Sequence, residues 1–325
     1  MKYYLAPLEG ITTYIYRNAY HDIFEPMDKY FSPFLIPRMK KSFNNREIRD
    51  ILPEHNSGVV LVPQLLTNQA EDFVKGAKRL AEYGYQEINL NLGCPSGTVV
   101  ARQKGAGFLA TPLKLQRFLD EIFSRLSLEI SIKTRIGVED PEEFAGLLKI
   151  FHQFPLKELI IHPRVREDYY NNKPNLAAFQ QALVKDRYPV CYNGDIFCKQ
   201  DLKQLLEQVP QLENVMLGRG ILKNPRLKEE LSQLGPITEH GQKYYEQLRQ
   251  FHDRIYLDYQ EIMSGEKNVL YKMKEIWSYM ICSFSNHETC AKKIRKAETL
   301  HKYEIAVNAL FREQKDFTAQ TSSYE

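Results

Sequence analysis

The sequence predicts an α/β protein: a (β/α)8, or TIM, barrel over residues 1–236, followed by a small all-helical domain over residues 237–325. Three observations carry this expectation. Short β-rich runs alternate with amphipathic helical stretches through the first two thirds of the chain. Several of those runs are almost continuously apolar, as strands covered by helices must be. Around Gly235-Pro236 the strand signal stops and only helical periodicity continues.

The elements follow in order. The first strand is KYYLAP at 2–7, and a weaker one lies within KYFSPFLIP at 29–37. VVLVPQLL (59–66), QEINLNL (86–92), EISIKTRI (129–136), ELIIHP (158–163), YPVCYN (188–193) and NVMLG (214–218) complete a set of eight. Helix starts are also readable. Asn68 and Glu71 stand at capping-box spacing ahead of FVKGAKRLAEYG. Thr111-Pro112 and Asp140-Pro141 each put proline at a first helical position, and Glu143 gives the second a box partner. Repeated strand–helix units demand parallel pairing with right-handed crossovers, and eight of them in about 235 residues suit a closed barrel. A doubly wound sheet is the competing architecture, but no GxGxxG follows the first strand. YYEQLRQFHDRIYLDYQ, NVLYKMKEIWSYMICSF and CAKKIRKAETLHKYEIAVNALFREQ supply the helical domain, and TAQTSSYE is expected to be a frayed tail.

Composition narrows the class. A chain of 325 residues can bury a large core, and its formal charge of +3 neither requires nor forbids a nucleic-acid partner. Five cysteines, odd in number and without CxxC spacing, argue against a disulfide framework or a zinc knuckle and for a reducing compartment. MKYYLAPLEG lacks the apolar stretch of a signal peptide, and no run approaches bilayer-spanning length. The expectation is a soluble, cytoplasmic protein without a metal site, with monomer as the default state.

In such a barrel the chemistry belongs at the C-terminal ends of the strands, and polar residues collect there. The first strand ends in Ala6-Pro7-Leu8-Glu9-Gly10 and the third contains Gln64. The fourth ends at Asn91, ahead of Gly93-Cys94-Pro95, and the fifth carries Lys133 and Arg135. The last three deliver His162 and Arg164, then Asn193-Gly194-Asp195, then Gly218-Arg219-Gly220. The final two ends suit a phosphate: their glycines allow close approach, and Arg219 can grip it bidentately. Lys133 reads either as a packed stem with a solvated head, as a cation beside a cofactor, or as a Schiff-base amine. His162 reads equally as a core histidine. Cys94 reads as an inert thiol at a turn or as a reactive group at an active-site rim, whereas Cys191, Cys198, Cys282 and Cys290 read as buried or incidental.

LAPLEGITTYIYR, PQLL, INLNLGCP, ARQKGAGFL, IKTRIG, IIHPR, YNGDI and MLGRGILKNP resemble, in order and spacing, the tRNA-dihydrouridine synthases. The resemblance runs to about residue 227 and rests most on Asn-x-Gly-Cys-Pro followed by the lysine–glycine loop. It implies an FMN-dependent barrel that reduces the C5–C6 double bond of a tRNA uridine, with NADPH as electron donor. By this resemblance Cys94 is the general acid. Pro7, Leu8, Glu9, Gln64, Lys133, His162, Asn193, Gly194, Asp195, Gly218 and Arg219 hold FMN. Asn91, Arg135 and Arg164 face the substrate, and Arg102 and Lys104 the RNA backbone. Leu8 stands where methionine is common, Asn89 where aspartate is frequent, and Pro163 where glycine is usual. The glutamate of APLEG leans toward the bacterial type that modifies the D-loop.

An unperturbed thiol, with a pKa of about 8.5, keeps its proton at neutral pH, as a general acid must. RNA binding rests on the basic stretch of the helical domain, with Lys272, Lys274, Lys292, Lys293 and Arg295 as contacts, although a solvated amphipathic face reads similarly. Tyr271, Trp277 and Tyr279 read more as core than as base-stacking residues. Three rivals stay open: a flavin oxidoreductase of a small unsaturated substrate, a Schiff-base lyase using Lys133, and a non-catalytic tRNA-binding scaffold.

Overall fold

The computed structural model describes residues 1–38, 42–183, 187–232, 241–285 and 287–321, with side chains through Gln314. The expected border at residues 236 and 237 lies outside the described residues. The described chain divides into two compact units. One comprises Met1–Tyr14, Met27–Ile196 and Lys203–Gly218; the other comprises Ile15–Pro26, Phe197–Leu202 and Arg219–Glu325.

The first unit is a parallel barrel. Its strands are β1 (Lys2–Leu5), β2 (Lys29–Phe31), β3 (Leu61–Val62), β4 (Gln64–Leu65), β5 (Glu87–Leu92), β6 (Glu129–Arg135), β7 (Leu159–His162), β8 (Val190–Tyr192) and β9 (Asn214–Leu217). They pair in the order β3-β2-β1-β9-β8-β7-β6-β5-β4. The two ends of that order, β3 and β4, are consecutive pieces of one run, so the sheet closes on itself. Eight runs become nine strands because Pro63 has no N–H to donate and interrupts the third run. Its carbonyl still accepts the Asn89 N–H at 2.9 Å, which keeps the ring continuous.

Tyr4, Ala6, Phe31, Val62, Ile160, Cys191 and Met216 form one buried cluster in this unit, with Leu8 packed against it. Residues near the starts of the strands form a polar plug. The Tyr4 hydroxyl and the Asn214 amide donate to Glu158 Oε1 at 3.1 and 2.8 Å, and Lys29 bridges Glu87 and Glu158 at 2.7 and 3.6 Å. Burial pushes the Glu158 carboxyl up, and Lys29 opposes that shift. Such a plug belongs to the stability face of a barrel.

Pro112 opens the helix Pro112–Arg125, as its fixed φ favours. Asn68, in contrast, caps nothing: the helix Ala70–Glu82 begins after Gln69 without a side-chain cap. The Asn68 amide donates instead to the carbonyls of Arg102 and Gln103 at 3.1 and 3.0 Å. The helix after Asp140-Pro141 begins later than expected, at Glu143, whose carboxylate does accept the Asp140 N–H at 2.8 Å.

In the second unit the helices are Tyr14–Ile23, Arg219–Lys223, Leu227–Ser232, Gln242–Ile262, Glu266–Met280, Glu288–Lys296 and Leu300–Thr321. Aromatic packing assigns Tyr14–Ile23 here. Tyr16 meets Phe251 edge-on at 5.2 Å between ring centroids, and Phe24 meets the same ring at 5.4 Å. Trp277 is core, and its Nε1 donates to the Tyr303 hydroxyl at 2.7 Å. The Asp253 carboxylate, 2.8 Å from His252 Nδ1, only accepts, so the ring's proton sits on Nδ1 and Nε2 accepts from the Tyr303 hydroxyl, 2.6 Å away. The last helix runs to Thr321, so the first half of the expected tail TAQTSSYE is helical, and 322–325 lie outside the described residues. No helix of the described residues is long and apolar enough to cross a membrane.

Candidate active site

Strand register assembles the site. Asn89 lies beside Gln64 of β4 and Ser131 of β6, and Asn91 lies beside Lys133. Side chains alternate along a strand, so Asn89 and Asn91 share one face of β5, and Ser131, Lys133 and Arg135 share one face of β6. The Gln64 amide donates to Asn89 Oδ1 at 2.7 Å, Asn89 to Ser131 Oγ at 2.9 Å, and Asn91 to Gln64 Oε1 at 2.6 Å. Gln64 N–H in turn reaches Ser32 Oγ at 3.1 Å.

Cys94 follows β5 and is held from several sides. Asn91 Oδ1 accepts the N–H groups of Gly93 and Cys94 at 3.1 and 2.9 Å. Arg135 Nε donates to the Gly93 carbonyl at 3.1 Å, and the Ala106 N–H to the Cys94 carbonyl at 3.0 Å. Burial pushes the Cys94 thiol above the ordinary cysteine range, and Glu9 adds to this; a backbone bond from Ser96 and the charges of Arg135 and Lys133 pull the other way. The net upward shift keeps the proton on sulfur at neutral pH. All five cysteines are free thiols; Cys191 and Cys290 are buried, and Cys198 and Cys282 exposed.

Lys133 is half-buried, and its ammonium has no hydrogen-bond or ion-pair partner among the described residues. Burial, then the neighbouring Arg135 charge, lowers its pKa to about 8. Arg135 itself is buried and fully engaged. Beyond Gly93 it donates to the carbonyls of Val165 at 2.8 Å and Tyr169 at 2.7 Å, and it lies over the Tyr170 ring. Its guanidinium joins two loops, a role that its sequence position does not reveal.

His162, Arg164 and Asp195 form a second cluster. Arg164 grips Asp195 with two bonds of 3.1 and 2.5 Å, and it donates to the Asn172 carbonyl at 2.5 Å. Arg164 also lies 3.0 Å from His162 Nε2; arginine only donates, so His162 keeps its proton on Nδ1. Asn193 donates to the Met216 carbonyl at 2.8 Å. Gly194 packs so tightly on the Tyr192 hydroxyl that a β-carbon there would collide with it. Gly218 has only ordinary contacts, with Ala6 and Leu8 nearest. Leu8 N–H donates to Thr12 Oγ1 at 2.8 Å, which shapes the turn Pro7-Leu8-Glu9-Gly10 after β1.

The lysine–glycine loop is packed. Gly105, at φ 56°, sits where a β-carbon would come within 2.8 Å of the Cys94 carbonyl, and 105–109 are buried. Arg102 is exposed at the tip of this loop, and Lys104 is half-buried behind it.

The remaining sequence-derived residues lie in the second unit. Arg219 opens a short helix there and stacks over Phe197. Lys272 pairs with Glu275 at 2.5 Å, and Lys274 donates to the Ala297 carbonyl at 2.5 Å, capping the helix Glu288–Lys296. Lys292, Lys293 and Arg295 are exposed. Lys292 and Lys293 join Lys296 and Lys302 around a groove of about 490 Å³ that Ala297, Ile305 and Ala306 also line. Tyr271 is 58% exposed, with Lys267 over its ring. No cluster of His, Cys, Asp or Glu among the described residues could hold a metal ion.

Ser131 carries no expectation from the sequence, and neither Asn89 nor Asn68 is expected there to take part in the site. Asn89 and Ser131 carry a signal in retrospect, as polar residues at inward positions of otherwise apolar strands.

Comparison with known proteins bears on this arrangement. The family model described as dihydrouridine synthase matches residues 4–316. A probable tRNA-dihydrouridine synthase 2 of Bacillus subtilis is 26% identical over 275 residues, covering 82% of this chain and 81% of the relative. A probable tRNA-dihydrouridine synthase of Staphylococcus aureus is 26% identical over 266 residues, covering 79% and 78%. Among solved structures, the old yellow enzyme from Trypanosoma cruzi superposes with a TM-score of 0.50 at 10% identity, over 75% of this chain and 91% of that one. A variant of NCR from Zymomonas mobilis gives 0.50 at 14%, over 75% and 90%. These two likenesses concern the barrel fold alone. With the family match spanning nearly the whole chain, the protein belongs to the dihydrouridine synthase family.

Proposed function

We propose that the protein is a flavin-dependent tRNA-dihydrouridine synthase that reduces the C5–C6 double bond of a D-loop uridine in the cytoplasm. The observation that carries the reading is Cys94, its backbone held by Asn91, after the strand that adjoins Lys133, whose ammonium has no partner among the described residues. An unpaired, partly desolvated cation calls for an electron-rich partner, and the FMN ring system fits that demand. FMN, when bound, supplies the hydride that reaches C6 of the uracil, with NADPH as the electron source.

The chain's own residues do the rest. Cys94 Sγ–H delivers the proton to C5, and the bonds from Asn91 and Arg135 keep its loop still while it does so. Lys133 offers its positive charge to the flavin ring, and Gln64 and His162 line the same barrel. Pro7, Leu8 and Glu9 border the site after β1, and the turn Asn193-Gly194-Asp195 with Gly218 is suited to the phosphate end of the cofactor. Arg164 is locked to Asp195, so its part is to shape the pocket wall around the uridine. Uridine reaches such a site only when flipped from its RNA stack. The exposed lysines around the helical groove supply cations for an RNA backbone.

The lowered pKa of Lys133 favours one other reading, a Schiff-base lyase. One experiment separates the two: flavin-loaded protein, NADPH and an unmodified tRNA transcript, with dihydrouridine mapped by position. Dihydrouridine in the D-loop supports the proposal; its absence, with borohydride trapping of a carbonyl compound on Lys133, supports the lyase.

A further inference from the structure

We propose that Asn89 and Ser131 are positioning residues for Cys94, acting through a buried chain of side-chain amides. The inference rests on the reading of Cys94 as the proton donor.

The polarity of the chain follows from one end. Backbone N–H groups only donate, so the Asn91 atom that faces Gly93 and Cys94 is its oxygen. Asn91 Nδ2 then points at Gln64 Oε1, Gln64 Nε2 at Asn89 Oδ1, and Asn89 Nδ2 at Ser131 Oγ. Gln64, Asn89 and Ser131 have no solvent exposure, and Asn91 has 7%. Turning any one amide over would set donor against donor or acceptor against acceptor where water cannot intervene, so the orientations are locked together. The chain ends at a hydroxyl, the one side-chain group here that accepts or donates with equal ease. Three adjacent strands thus fix the rotamer of Asn91, and Asn91 fixes the backbone of Cys94.

The chain also has a chemical signature that simple packing lacks. Asn89→Ala removes the acceptor for Gln64 Nε2 and frees Gln64 to turn. Asn89→Asp keeps that acceptor, and the Ser131 hydroxyl can rotate to donate to the second carboxylate oxygen. A structural role for residue 89 would make the charged variant the worse of the two; the amide chain makes it the better.

The test uses flavin-loaded full-length protein. Hydrogen–deuterium exchange of the peptide containing Gly93 and Cys94 reads loop position without turnover, and kcat and KM for uridine reduction read its consequence. Asn89→Ala is expected to speed exchange and lower kcat, each by about tenfold, with KM within about twofold. Asn89→Asp is expected to recover most of both. Ser131→Ala, a smaller change, is expected to shift both in the same direction by about threefold. Unchanged exchange in Asn89→Ala, or no recovery in Asn89→Asp, overturns the inference. If Asn89→Ala does not fold, Ser131→Ala decides on the same readouts, and unchanged exchange there overturns it. A wild-type enzyme that forms no dihydrouridine defeats the functional reading, while the exchange comparison still decides the amide chain.

Discussion

The side-chain oxygen of Asn91 accepts the backbone N–H of Cys94 at 2.9 Å, so a residue of the strand governs the position of a thiol in the loop beyond it. Asn91→Ala removes the acceptor for two partly buried N–H groups and strands Gln64 Oε1. We expect a loss of about 1–3 kcal/mol in stability by denaturant titration. Turnover should fall by about tenfold or more because the acid is misplaced.

Lys133 is a site where function opposes stability. Its folded pKa, about 8, lies below the ordinary lysine value of about 10.4, so the unfolded chain binds more protons between those limits. Stability of the flavin-free protein should therefore rise with pH across that window, and Lys133→Met should flatten the rise. The same variant should be more stable at neutral pH by up to roughly 3 kcal/mol, the equivalent of the shift, and should bind FMN more weakly. Thermal melts and fluorescence titration with FMN check both outcomes.

The pH profile of uridine reduction should report Cys94. A general acid must be protonated, and burial raises this thiol, so activity should persist through the ordinary cysteine range and fall only above it. Lys133 complicates the same limb, since the flavin-free site loses its cation near pH 8. Measuring at saturating FMN separates them: the thiol limb remains, and the cofactor-affinity limb disappears. A fall centred below the ordinary thiol value would contradict the assignment.

The exposed lysines of the helical groove should act on RNA affinity and not on chemistry. Replacing Lys292, Lys293, Lys296 and Lys302 by alanine should raise KM for tRNA with kcat nearly constant. It should also reduce the slope of log affinity against log salt by about 0.7–0.9 for each phosphate that is no longer neutralised. An unchanged salt slope would remove this groove from the RNA interface. Lys274 makes a useful contrast: it caps a helix, so its replacement should cost stability and leave the salt slope alone.

How much of this was legible in the sequence follows from the range of each interaction. The strands were readable because apolar runs and period-two alternation are local; the split of the 59–66 run at Pro63, a residue that cannot donate, was not expected. The helix Tyr14–Ile23 falls within the barrel by its place in the chain; from Ile15 on it groups with the second unit, where Tyr16 meets Phe251, more than two hundred residues away. Cys94, Lys133 and Asn91 were readable as polar groups at strand ends. The duties of Arg135 and Arg164 were not, because their partners, the Tyr169 carbonyl and Asp195, are each 31 or more residues distant and are chosen by folding. Asn68 matched a capping pattern, yet two carbonyls of the loop at 102–103 claimed its amide.

The central claim is that Cys94 donates the proton, and the most direct measurement is single-turnover reduction of a tRNA transcript by the flavin-loaded Cys94→Ala enzyme. FMN should stay bound while the rate falls by about 10²–10⁴-fold, the usual contribution of a general acid. A rate within about twofold of the wild type would mean that another group donates the proton.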